Sequence, residues 1–181
     1  MRRKAIKNAG YTILEMMVVV AILAVGLAVV SMSVNTIFSL EMKECVKQLA
    51  AELGKQKVAA MTRSGEVYMR LYKDDGGIFL DKYENDVPVE QGVRIGGEKI
   101  SVTYYSGSNT AGTALSPDGI VIAFNKSNGS FKKIGQAWTM YGGSGSPTYP
   151  GEYYTKLVIQ SGGASRTIVL WPDTGKFSIS A

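Results

Sequence analysis

The chain has 181 residues, 20 Lys and Arg against 15 Asp and Glu, and a formal charge of +5. It has no His and one cysteine, Cys45. This excludes histidine-based triads, histidine-ligated metal sites, paired redox cysteines and an internal disulfide. An apolar fraction of 45% is enough for a packed core and argues against general disorder.

The positive charge is concentrated at the start. Arg2, Arg3, Lys4 and Lys7 precede Gly10 with no acid among them, and the remaining chain carries 16 basic against 15 acidic side chains. After Gly10 come Tyr11, Thr12, Ile13, Leu14 and Glu15, then an apolar run from Met16 to Val30, and no charge until Leu40 is passed. About 20 apolar residues of helix span a bilayer core, and a basic flank stays on the cytoplasmic side.

Three readings fit this segment. A secretory signal would show small residues and a cleavage site after the apolar run, and none follows Val30. A plain anchor leaves the carboxylate of Glu15 at the mouth of an apolar helix without a role. In the third, cleavage falls between Gly10 and Tyr11 and the helix is retained, with the new amine four residues from Glu15.

A basic leader ending in Gly, an aromatic residue, Thr, two aliphatics, Glu and an apolar helix resembles the type IV prepilin and pseudopilin family. The resemblance covers about the first 40 residues. It implies that a prepilin peptidase cuts Gly10–Tyr11 and methylates the Tyr11 amine. It further implies that Glu15 pairs with the amine of a neighbouring subunit during assembly. Implied partners are other pilins in a filament, the peptidase, an inner-membrane assembly platform and the membrane, with no cofactor. The implied location is a single-pass inner-membrane protein, N-terminus cytoplasmic before processing, that later enters an extracytoplasmic filament. Tyr11 stands where Phe is commoner, and Met32 where many major pilins carry Pro, which leans toward a minor component.

From Ile37 to Thr62 the pattern turns amphipathic. Phe38, Met42, Cys45, Leu49 and Leu53 recur at three- and four-residue spacing with charges between them. Ser64-Gly65 reads as a stop, so one helix from about Thr12 to about Ser64 is expected. Cys45 on the apolar stripe reads as a buried, inert thiol.

Residues 66–181 read as strands between Gly-rich turns: 66–73, 78–83, 99–105, 119–125, 130–134, 154–161, 165–171 and 176–180. Residues 106–113 and 142–151 read as polar loops. The expected class is α+β, a long helix whose first half is transmembrane, packed on an antiparallel β-rich domain in the manner of type IV pilins. The expected divisions are leader 1–10, helix 11–64 with its membrane segment at about 15–36, and β domain 65–181. Arg63-Ser64-Gly65-Glu66-Val67, Ser116-Pro117-Asp118-Gly119-Ile120 and Pro172-Asp173-Thr174-Gly175-Lys176-Phe177 resemble turns of the H-type minor pseudopilins and the FimT-like minor pilins.

Nothing resembles a catalytic constellation or phosphate loop, and no enzyme or metal site is expected. The acids Asp74, Asp75, Asp81, Glu84, Asp86 and Glu90 match no calcium-loop spacing and read as a solvated face. Seven basic side chains stand against three acids from Lys99 onward. Lys126, Lys132, Lys133 and Lys156, with Tyr141, Tyr149, Tyr153 and Tyr154, could hold and stack a nucleic acid. The alternative function is therefore a DNA-binding minor pilin of an uptake pilus.

Overall fold

The computed structural model describes residues 11–107, 109–133 and 152–180, except the side chains of 29–38. The expected leader 1–10 and the loop 142–151, with Tyr141 and Tyr149, lie outside the described residues. The chain divides into two compact units, Met1–Ile37 and Phe38–Ala181. Helix α1, Ile13–Thr62, contributes to both.

In the first unit, the described side chains from Tyr11 to Ala28 are all exposed, although nearly all are apolar. Among the described residues no helix is long and apolar enough to cross a membrane. The expected membrane segment 15–36 extends into 29–38, whose side chains lie outside the described residues.

In the second unit, α1 buries Met42, Cys45, Val46, Leu49, Leu53, Gln56 and Ala60, a one-sided stripe. The stripe closes a core with two antiparallel sheets. The first has the order β3-β2-β1-β6, built from β1 (Val67–Asp74), β2 (Gly77–Glu84), β3 (Val87–Gly96) and β6 (Ile120–Ala123). The second has the order β5-β4-β7-β8-β9, from β4 (Ser101–Ser106), β5 (Thr113–Ala114), β7 (Tyr154–Ser161), β8 (Ala164–Trp171) and β9 (Lys176–Ser180). Met69, Leu71, Ile78, Leu80, Ile120, Leu157, Ile159 and Ile168 fill the interior. The protein is α+β, an N-terminal helix followed by an antiparallel β domain.

Two departures from the expected strands have clear causes. Residues 130–134 were expected as a strand, but only the bridge Phe124–Phe131 forms, and Ile134 lies outside the described residues. The Asn128-Gly129 turn does form, with Gly129 at φ 66°; the Asn125 amide donates to the Ser130 carbonyl and the Lys132 amide to the Ala123 carbonyl, while the Phe131 amide, on the other side, donates to the Pro172 carbonyl. Conversely, β3 has no counterpart among the expected strands, and only its first four residues belong to the stretch 74–90 expected as a solvated acidic face. Asn85 (φ 51°) and Asp86 (φ 62°) make the two-residue left-handed turn that starts β3.

The three family-like fragments are each held by a distant polar side chain. Asn85 Oδ1 accepts from the Glu66 amide at 3.0 Å, and Gly65 leaves room for that side chain. Arg70 donates to the carbonyls of Pro117 (2.8 Å) and Asp118 (3.1 Å). Lys57 donates to the carbonyls of Thr174 (3.0 Å) and Gly175 (3.1 Å).

Candidate functional site

The N-terminal end of α1 is organised by Thr12. Helix starts leave backbone amides without acceptors, and a Thr with Glu three residues on can satisfy two of them reciprocally. Here the Glu15 amide donates to Thr12 Oγ1 at 3.2 Å, and the Thr12 amide donates to Glu15 Oε2 at 3.1 Å. The Thr12 hydroxyl also donates to Glu15 Oε2, at 3.3 Å. The carboxylate is thereby folded back over the first turn, toward the residue that would carry a new amine after cleavage. It also lies where the helix dipole favours negative charge.

Tyr11 is 82% exposed, and Ile13 and Leu14 are nearly as open. The residues beside the expected scissile bond are therefore not packed on the rest of the described chain. Gly10 itself lies outside the described residues. Thr12 enters the sequence pattern only as a member of the motif, with no role of its own. The Thr-x-x-Glu spacing ahead of an apolar run is the signal that identifies it.

The four expected DNA-binding lysines are each engaged separately. Lys126 donates to the Ser64 carbonyl at 3.2 Å, and Lys132 pairs with Glu66 at 2.7 Å. Lys133 lies over the Tyr153 ring at 5.3 Å, and Lys156 over the Tyr105 ring at 4.0 Å. Two of them thus serve the junction between α1 and β1.

Of the acidic residues of 74–90, Asp74, Asp75, Asp86 and Glu90 are exposed as expected, Glu84 is half-buried, and Asp81 departs from the solvated face. Asp81, 4% exposed, accepts from the Gly92 amide at 2.7 Å and from the Tyr72 hydroxyl at 3.4 Å, and lies 3.5 Å from Arg70. Glu84 pairs with Arg63 at 2.6 Å, Asp86 accepts from the Tyr68 hydroxyl at 3.0 Å, and Glu90 pairs with Lys82 at 2.6 Å. Among the described residues no three potential ligands are grouped to hold a metal ion. Cys45 is fully buried. Burial first, then the charge of Glu41, pushes its thiol up to about 12.

A family model described as the prokaryotic N-terminal methylation motif matches residues 6–31. The matched stretch runs from the expected leader through Gly10, Tyr11, Thr12 and Glu15 into the apolar helix. It supports a type IV pilin-like or pseudopilin subunit, a structural kind of protein assembled with other pilins after peptidase processing. Comparison with curated proteins and with solved structures finds no match.

Proposed function

We propose that this chain is a minor pilin or pseudopilin, cut between Gly10 and Tyr11, methylated on the Tyr11 amine, and assembled into a filament through its N-terminal helix. The observation that carries the reading is the methylation motif over residues 6–31. The Thr12–Glu15 box supports it, because it starts a helix two residues past the cleavage point and holds the carboxylate there.

In this reading residues 1–10 are the discarded leader, 11–64 the helix and 65–181 the outward domain. Residues of about 15–36 anchor the subunit in the inner membrane through a single pass until it joins the filament. Burial of the open apolar side chains drives packing, at about 25 cal/mol for each Å² removed from water. A carboxylate entering that packing needs a partner. Glu15 finds one in the Tyr11 amine of a neighbouring subunit. The order of the three held turns favours a minor component of the H-type or FimT-like kind, serving a type II secretion pseudopilus or a type IV pilus at an inner-membrane platform. DNA capture draws no support from Lys126, Lys132, Lys133 and Lys156, which are engaged within the domain.

Intact mass of the mature protein tests the processing step. Loss of residues 1–10 and gain of one methyl group are expected, and a mass that retains the leader overturns the proposal. Glu15→Leu should still be cleaved but excluded from filaments. Normal incorporation would remove the pairing role.

A further inference from the structure

A cleft of about 200 Å³ lies where α1 meets the edge of the second sheet, lined by Lys43, Val46, Lys47, Arg166 and Ile179. Its three cations make no ion pair among the described residues. The nearest acids on the helix are occupied elsewhere: Glu44 accepts from Gln48 at 3.3 Å, and Glu41 lies against Gly97. Lys43 and Lys47 stand one helical turn apart, where like charges repel. Arg166 adds a third positive charge from β8. The floor is apolar, with Val46 buried and Ile179 48% exposed.

We propose that this cleft binds the phosphate of an anionic phospholipid in the outer leaflet while the subunit waits in the membrane. The proposal rests on the anchoring reading above. Lys43 follows by three residues the end of the charge-free stretch at Leu40, itself 58% exposed. At a helical rise of about 1.5 Å per residue, the first cation stands roughly 5 Å beyond Leu40 and roughly 10 Å beyond the membrane segment of about 15–36. From there the long stems of the basic side chains reach back to the headgroup phosphates. Three cations give the cleft an excess of positive charge toward the singly charged phosphodiester. The aliphatic floor matches the glycerol and upper acyl carbons, which a free phosphate or an acidic peptide lacks.

The full chain is reconstituted into nanodiscs of phosphatidylcholine, with or without phosphatidylglycerol, and backbone hydrogen exchange is followed. Exchange in 43–47 and 176–180 should slow by about fivefold with phosphatidylglycerol, the preference one surface cation confers. Lys43→Gln, Lys47→Gln and Arg166→Gln together should abolish the difference, and Lys43→Arg with Lys47→Arg should keep it. Inorganic phosphate or polyglutamate added to phosphatidylcholine discs should not reproduce it. Equal protection by either additive, or persistence of the effect in the triple Gln variant, overturns the lipid site. Entry into both discs with no lipid-dependent difference overturns the cleft alone. Failure to enter either disc overturns the anchoring reading and the cleft with it.

Discussion

Lys82 on β2 reaches Glu52 on α1 at 2.7 Å and, from the same ammonium, Glu90 on β3 at 2.6 Å. One side chain thus ties the helix to two strands of the first sheet. Lys55 donates to the other oxygen of Glu52, also at 2.7 Å.

This junction should give stability a plateau with two limbs. Burial raises the Glu52 pKa, but hydrogen bonds from Lys55 and Lys82 and their charges outweigh it and hold the carboxyl below its ordinary 4.5. A depressed carboxyl stabilises fully above its unfolded value, and the contribution is lost as pH falls through the folded one. For Lys82, burial lowers the pKa, but its hydrogen bonds to the Glu52 and Glu90 carboxylates, and their charges, outweigh it and raise the ammonium above 10.5. Its contribution is complete below 10.5 and lost as pH rises through the folded value. Lys82→Met should cost about 1–3 kcal/mol at neutral pH and flatten both limbs in urea midpoints measured against pH.

Arg70 carries a second junction. It faces the buried Asp81 across the β1–β2 ladder and closes the 116–119 turn through two carbonyls. Arg70→Met leaves Asp81 with the Gly92 amide and the Tyr72 hydroxyl but without a cation. The expected loss is about 3 kcal/mol in guanidinium unfolding. Replacing Arg70 and Asp81 together with Met and Leu should cost less than Arg70→Met alone, because no charge is then stranded.

Cys45 should resist thiol reagents in the folded protein. With its pKa near 12 instead of the ordinary 9.0, reaction with Ellman's reagent at pH 8 should be on the order of a thousandfold slower than in urea. The same sulfur limits β3. A Cβ added at Gly96 would lie 2.9 Å from Cys45 Sγ and 3.1 Å from Ile100 Cδ1. Gly96→Ala should cost about 1–3 kcal/mol, and Cys45→Ala in the same chain should recover part of it, measurable as a double-mutant cycle.

At the start of α1, Thr12→Val removes both roles of the hydroxyl. About 1 kcal/mol of local helix stability should be lost, seen as faster exchange of the Leu14 and Glu15 amides in the full chain held in detergent micelles. Thr12→Ser should restore it.

The helix and most strands were legible because their signals are local. The spacing of Met42, Cys45, Leu49 and Leu53 reports one buried face, and the alternation in 67–73 reports a strand. What was missed depends on partners far along the chain. β3 alternates Val87, Val89, Val93 and Ile95 but is interrupted by Pro88 and by Gln91-Gly92, and pairing with β2 is what makes it a strand. Asp81 resembles any surface acid until Arg70, Tyr72 and Gly92 surround it. Lys126 and Lys132 read as free cations because Ser64 and Glu66, which they serve, lie some sixty residues earlier. At the N-terminal site, charge, Gly10 and Glu15 were apparent in one short stretch. The reciprocal bonds of Thr12 were written there too, in a spacing shared with many soluble helices.

The stem of Lys57 passes beneath Gly129 before its ammonium reaches Thr174 and Gly175, and a Cβ at Gly175 would collide with the Gly129 carbonyl. A helix, a mid-chain turn and the last hairpin therefore close on one another as a single lock. Such long loops are slow to close, and little rewards the early contacts until the late ones arrive. During synthesis the helix emerges more than a hundred residues ahead of its final clasp. The β domain should therefore reach its native state only after nearly the whole chain has been delivered, and remain open to proteases and to holding chaperones until then.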